Sequence, residues 1–122
     1  MRSMHLETNI IHVGDNIFHL TNIPDASVDM CVTSPPYYNL RDYKNSNQIG
    51  AENTVSDFVE NLCKVFDEVK RILKPTGSCW VNIGDTYDKK RLLQLPSRFD
   101  IAIGKDQVDH PVVQLITQVD TK

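Results

Sequence analysis

The sequence predicts an α/β fold in which a mostly parallel sheet is flanked by helices. Two apolar runs, Val28–Thr33 and 78–83, have the length and β-branched content of buried strands. Between them, the apolar residues of 54–74 recur at helical spacing, with charged residues elsewhere around the helix. A strand, a long helix and a second strand in this order indicate a parallel crossover. These three elements are the predicted core of one domain.

The central helix carries signals at both ends. Thr54, with Asp57 three residues later, resembles a capping box, and a basic cluster precedes Pro75, which should stop the helix. Burying a large apolar side chain contributes roughly 1.5–3 kcal/mol, so the apolar stripe is interpreted as core. The residues expected to pack on the sheet are Phe58, Leu62, Phe66 and Val69.

Weaker patterns predict the remaining elements. Residues 9–13 form a β-branched run that ends at Gly14-Asp15, which predicts a strand parallel to the other two, followed by a helical turn at 16–20. Pro96 is expected to open a short helix through residue 103. The apolar residues of 105–122 fit a strand or a helix about equally well, and we interpret them as a strand.

Composition limits the function classes. A chain of 122 residues with 40% apolar residues is enough for one domain, and its formal charge of −3 gives no global attraction to a phosphate backbone. Three cysteines, odd in number and without a CxxC pair, indicate reduced thiols in a cytoplasmic protein without disulfides. Because the sequence has no long apolar run, we expect that the chain is not exported and does not span a membrane. The histidines at 5, 12 and 19 are expected to lie in different structural contexts, so their even spacing does not predict a metal site.

The strand Val28–Thr33 stops at two prolines, in the run Thr33-Ser34-Pro35-Pro36-Tyr37-Tyr38. Proline lacks an amide donor and has a fixed φ, so this loop cannot continue the ladder. It holds a hydroxyl, backbone carbonyls and an aromatic face at fixed angles, at the strand end where open α/β sheets bind ligands. The loop is therefore the predicted binding site.

Residues 33–38, TSPPYY, resemble the catalytic motif of site-specific DNA amino-methyltransferases, which methylate cytosine-N(4) or adenine-N(6). Three segments are similar to this family, in the order of the permuted members in which this motif comes first: VGDNIFHLTNIPDASVDMCVTSPPYYNLRDY, QIGAENTVSDFVENLCKVFDEVKRILKPTGSCWVNIGDTY and LPSRFDIAI. The resemblance covers about residues 9 to 104. It implies a Rossmann-like fold, S-adenosylmethionine as the cofactor and DNA as the partner.

The resemblance also implies roles for individual residues. Ser34 and the carbonyl of Pro35 would accept hydrogens of the base amine, with Pro36 in the same rigid turn, and Tyr37 would stack on a flipped base. Serine at position 34 goes mostly with cytosine-N(4) transfer in this family. The remaining expected sites are Asp15 and Thr33 for the cofactor, and Tyr38, Arg41, Lys89, Lys90 and Arg91 for nucleic acid. Asp15 could equally be a turn or cap residue, and the basic run could be a solvated face.

The family's Phe-x-Gly-x-Gly cofactor loop and DNA-recognition region have no counterpart in the sequence. We therefore expect a truncated methyltransferase fold, with residues 1–104 as its amino-terminal catalytic part and 105–122 as a tail that does not match the family. Such a chain should be inactive alone, require a second chain that supplies the missing parts, and self-associate through an open sheet edge. The alternatives are a non-catalytic remnant that binds nucleotide, nucleic acid or a partner, and a protein-modifying methyltransferase.

Overall fold

The computed structural model describes residues 7–36, 38, 48–104 and 112–119, the last of these by backbone alone. None of the described helices is long and apolar enough to cross a membrane. The elements follow in the order α1 (Asn16–Leu20), β1 (Val28–Thr33), α2 (Val55–Ile72), β2 (Leu73–Asp85), β3 (Tyr87–Asp88), β4 (Arg91–Leu92), α3 (Leu95–Gly104) and β5 (Val112–Val119).

The main sheet has three strands in the order β1-β2-β5, and both neighbouring pairs are parallel. Cys31 is the register partner of Cys79, and Thr33 is the partner of Val81. The parallel β1-α2-β2 crossover predicted from the sequence is therefore confirmed. The strand predicted in the final segment is confirmed as β5, which pairs with β2 from Ser78 to Asp85.

Helix α2 covers one face of this sheet. Thr54 caps it, because its hydroxyl accepts a hydrogen bond from the Asp57 amide at 3.1 Å. The helix ends at Ile72, two residues earlier than predicted, and Pro75 lies within β2. The core combines the predicted α2 stripe with the inward side of β2 and two residues of α3: Phe58, Leu62, Phe66, Val69, Cys79, Val81, Ile83, Leu95 and Phe99.

Residues 9–13 do not form the predicted first strand. Asn9 has a φ of 61°, and the side chains of Ile11 and Val13 are 91% and 89% exposed. β-branched residues favour a strand only where a pleated, half-buried surface receives them, and no described strand lies beside this segment. The prediction failed because it relied on local propensity without a pairing partner.

Arg71, near the end of α2, binds the segment that connects α1 to β1. Its guanidinium donates to the carbonyls of Leu20 at 2.8 Å and Ile23 at 2.9 Å, and it forms ion pairs with Asp25 at 2.6 Å and Glu68 at 2.8 Å. The hydrogen bond with Asp25 is the main reason why the pKa of Arg71 is raised. Arg71 therefore holds the backbone of this segment through hydrogen bonds, in addition to forming ion pairs.

Asp85 links the end of β2 to α3. Its side chain is buried, and its Oδ1 accepts hydrogen bonds from the amides of Thr86 at 2.9 Å and Leu95 at 3.1 Å. The first amides of a helix have no partner within the helix, so this carboxylate satisfies a donor that would otherwise be buried alone. Phe99, on the same helix, packs against Phe66 with 4.9 Å between ring centroids.

Candidate functional site

A cavity of about 920 Å³ opens where β1 ends, between α1 and α2. This volume is within the range of small-molecule sites. The described residues of its lining come from the end of β1 and the loop after it, from the start of α1, from the segment before α2 and from one side of α2. The residues most relevant to binding are Asp15, Asn16, Cys31, Thr33, Ser34, Pro35, Pro36, Glu52, Asn61 and Lys64.

The proline motif forms the cavity wall at the end of β1. Thr33 is the last residue of β1, and Ser34, which follows it, is exposed. Pro35 is buried and Pro36 is half-buried, so the two rings anchor the loop against the protein while the serine faces open space. The motif therefore presents Ser34 at the edge of the cavity.

Asp15 lines the same cavity, on the side of α1. Its Oδ1 accepts hydrogen bonds from the amides of Ile17 at 2.8 Å and Phe18 at 3.3 Å, so the residue is the N-cap of α1. The cap role predicted as one alternative is therefore present. The fold also brings Asp15, Thr33 and Ser34 to one cavity, although they come from separate segments of the chain.

Sequence reasoning missed a polar cluster on the opposite wall. Glu52 accepts hydrogen bonds from the Gly50 amide at 2.8 Å and from the Asn61 side chain at 3.2 Å. Lys64 donates to the Asn61 side chain at 3.4 Å. Asn61 and Lys64 are three residues apart on α2 and so share one side of the helix, which is the signal that could have drawn attention to them.

Four of the residues predicted to contact nucleic acid are described, and the cavity lining does not include them: Tyr38, Lys89, Lys90 and Arg91. Tyr38 packs its ring on Phe58, with 5.4 Å between ring centroids. Lys89, Lys90 and Arg91 are exposed on the β3-β4 hairpin, where both lysines occupy the turn with φ of 50° and 69°. Tyr37 and Arg41 lie outside the described residues.

One expectation about the histidines was wrong. His12 and His19 lie together, with 5.2 Å between their ring centroids, and His19 Nε2 is 3.1 Å from the Val13 carbonyl oxygen. The reason is that the chain turns back at Gly14, where φ is 141°, before α1 begins. His5 lies outside the described residues, and no group of three or more potential ligands is found in the part of the chain that is described.

Known proteins resemble this chain over most of its length. A family described as DNA methylase matches residues 28–120. The Type II methyltransferase M.SfiI of Streptomyces fimbriatus is 48% identical over 82 residues, which are 67% of this chain and 20% of that protein. M.SmaI of Serratia marcescens is 44% identical over 86 residues, covering 67% of this chain and 30% of that protein.

M.HinfI of Haemophilus influenzae is 34% identical over 111 residues, which are 82% of this chain and 31% of that protein. The chain thus spans about a fifth to a third of the length of these curated relatives. No solved structure matches it.

The division of the chain into a catalytic part, residues 1–104, and a tail, residues 105–122, stays a prediction. The family match runs from β1 through β5 and includes the Ser34 motif, the cavity wall on α2 and the whole main sheet, and by this match the chain belongs to the DNA methylase family.

Proposed function

We propose that this chain carries the base-binding part of a DNA methyltransferase site, which transfers a methyl group from S-adenosylmethionine to the exocyclic N(4) amine of a flipped cytosine. The observation that carries this proposal is the shared cavity of Ser34, Thr33 and Asp15 at the end of β1. Membership of the DNA methylase family supports DNA as the substrate. The parallel sheet with its ligand cavity at a strand end also supports a Rossmann-like fold.

The cavity suits the cofactor in size and chemistry. Its lining combines apolar side chains of α1 and α2, which can hold an adenine ring, with carboxylates that can accept hydrogen bonds from hydroxyl and amino groups. Asp15 has Oδ1 engaged at the helix start, and its other carboxylate oxygen has no part in that cap. Together with Thr33, it would hold the cofactor beside the serine. When bound, S-adenosylmethionine supplies the electrophilic methyl group.

The chain's own contribution is to position the base amine. This amine is a weak nucleophile because its lone pair is delocalised into the ring. The hydroxyl oxygen of Ser34 and the carbonyl of Pro35 would each accept one amine hydrogen, which draws the nitrogen toward tetrahedral geometry and directs its lone pair toward the methyl group. Tyr37 would stack on the flipped base. The rate enhancement then comes mainly from holding the reacting atoms in line.

DNA contact is assigned to a different surface from the cavity. The exposed hairpin carries Lys89, Lys90 and Arg91 at its tip. Lys89 and Lys90 both have a positive φ, which is uncommon for two adjacent non-glycine residues. Since the chain has a formal charge of −3, this local cluster would provide the phosphate contacts that the overall charge does not. We assign Tyr38 and Arg41 to the same role only by family resemblance.

A second chain that supplies the cofactor loop and the recognition region is also part of the proposal. Strand β1 is an edge of the described sheet, and the face opposite α2 leaves Met30, Val32 and Trp80 exposed. An unpaired edge beside an exposed apolar face favours association, with a further chain or between copies of this one.

The test is a chimera in which this chain replaces the matching segment of M.SmaI. The chimera, labelled S-adenosylmethionine and DNA containing the relative's target are combined, and methyl incorporation is measured. Ser34→Ala should lower turnover far more than cofactor affinity, since the hydroxyl assists the amine. Ser56→Ala, at an exposed position of α2, is the matched control and should leave turnover unchanged. An active chimera with unchanged turnover in Ser34→Ala would refute the assigned role.

A further inference from the structure

Two cysteines face each other across the main sheet, just before the proline motif. Cys31 of β1 and Cys79 of β2 are register partners in adjacent parallel strands. Both contribute to the side of the sheet that meets α2. Neither is engaged in a disulfide. This pair has no part in the proposed methyl transfer, and its own chemistry does not depend on that function.

The two thiols differ in accessibility. Cys31 is half-buried and lines the cavity, whereas Cys79 is only 2% exposed within the core. A small reagent can therefore reach Cys31 through the cavity but can reach Cys79 only by way of its neighbour. The other charged side chains that line this cavity are Asp15, Glu52 and Lys64.

The two thiols also differ in acidity. Donation from Cys79 lowers the pKa of Cys31 to about 7, even though burial acts in the opposite direction. The same hydrogen bond, followed by burial, raises the pKa of Cys79. Near neutral pH, Cys31 is thus partly ionised, whereas Cys79 keeps its proton. An accessible thiolate beside a second thiol is the arrangement of a nucleophilic and a resolving cysteine.

We propose that Cys31 and Cys79 form a peroxide-sensitive dithiol, in which a hydroperoxide oxidises Cys31 and Cys79 converts the product to an intrachain disulfide. In the first step the Cys31 thiolate attacks one peroxide oxygen: an S–O bond forms, the O–O bond breaks, and the departing oxygen takes up a proton as water or alcohol. Sulfur is oxidised by two electrons and the peroxide is reduced. In the second step the Cys79 sulfur attacks Cys31, an S–S bond forms, the S–O bond breaks, and water leaves with the Cys79 proton.

The backbone spacing allows this bridge. Adjacent strands lie about 4.7–4.9 Å apart, which is inside the range of about 4.4–6.8 Å between the Cα atoms of disulfide-bonded cysteines. The bond would join β1 to β2 two register positions before Thr33 pairs with Val81. Oxidation would therefore link β1, the strand directly before Ser34, to β2 through a residue that lines the same cavity as Ser34.

The test is peptide mapping of the full chain after treatment with hydrogen peroxide at low protein concentration. The expected result is one intrachain link between the peptides that contain Cys31 and Cys79, also formed in Cys63→Ser as the matched control. In Cys79→Ala, dimedone should instead trap a sulfenic acid at Cys31. A link to Cys63, a link between chains only, or no link would overturn the proposal.

Alkylation by iodoacetamide provides a second measurement on the untreated chain. The rate at Cys31 should rise with a midpoint near pH 7, and Cys79→Ala should move this midpoint upward by about 1.5 pH units, toward that of an unperturbed thiol. A midpoint that is the same with and without Cys79 would overturn the proposal. If Cys79→Ala does not fold, as judged by circular dichroism, peptide mapping of the unmutated chain decides the question alone.

Discussion

Replacing Asp85 by alanine should destabilise the fold by about 2 kcal/mol, because this carboxylate is the acceptor for two backbone amides. The amide of Leu95 lies in a buried environment, and its acceptor is 3.1 Å away on Asp85. Leaving a buried donor without a partner costs about 1–3 kcal/mol. The second hydrogen bond, from the Thr86 amide, is only partly buried and adds less. The amide oxygen of Asp85→Asn can still accept both bonds as a neutral group, so this variant should lose about half as much.

Urea unfolding followed by circular dichroism measures this effect. With a denaturant dependence of about 1–3 kcal/mol per molar urea, a loss of 2 kcal/mol lowers the midpoint by roughly 1 M. Asp88→Ala is the matched control, because Asp88 is an exposed carboxylate three residues away on the hairpin. Equal midpoints for Asp85→Ala and Asp88→Ala would refute the role of Asp85 as the anchor of α3.

Two further variants test the packing around α2. Arg71→Ala removes two hydrogen bonds to backbone carbonyls and should cost about 1–2 kcal/mol in the same urea assay, whereas Lys70→Ala should change the free energy of unfolding by less than about 0.5 kcal/mol. Equal losses would contradict the anchoring role. Phe99→Ala should cost about 3–5 kcal/mol, since this side chain is 0% exposed, while Ile101→Ala, at a side chain that is 66% exposed, should be nearly neutral. A small loss for Phe99→Ala would show that α3 is not part of the core.

The sequence predicted the elements whose signals are local. Helix α2 was predicted because Thr54 marks its start, and the buried positions follow the helical period. Strand β1 was predicted with its observed bounds, because two prolines end it. Residues 9–13 have the composition of a strand, but a strand also needs a neighbour, and composition does not reveal one. Strand β2 is longer than predicted at both ends, because it pairs with β1 from Leu73 onward and with β5 as far as Asp85.

The candidate site was predicted on one wall only. The Ser34 motif is contiguous in sequence, so its resemblance to a methyltransferase motif could be seen before its surroundings were known. Glu52 and Asn61 were missed because their hydrogen bond joins a loop to a helix nine residues later, and nothing in either local pattern indicates that contact. The meeting of His12 and His19 likewise depends on the path of the chain at Gly14. Sequence periodicity does not predict such contacts, because they depend on how separate segments of the chain are brought together in the fold.

The most direct test of the central claim, that the cavity at the end of β1 binds the cofactor of a DNA methyltransferase, is an NMR titration of the isotope-labelled chain with S-adenosylhomocysteine. The amide resonances of Asp15, Thr33 and Ser34 should shift together along one binding curve, and those of the hairpin residues Lys89 and Lys90 should stay in place. Shifts confined to the hairpin, or none anywhere at millimolar ligand, would contradict the account.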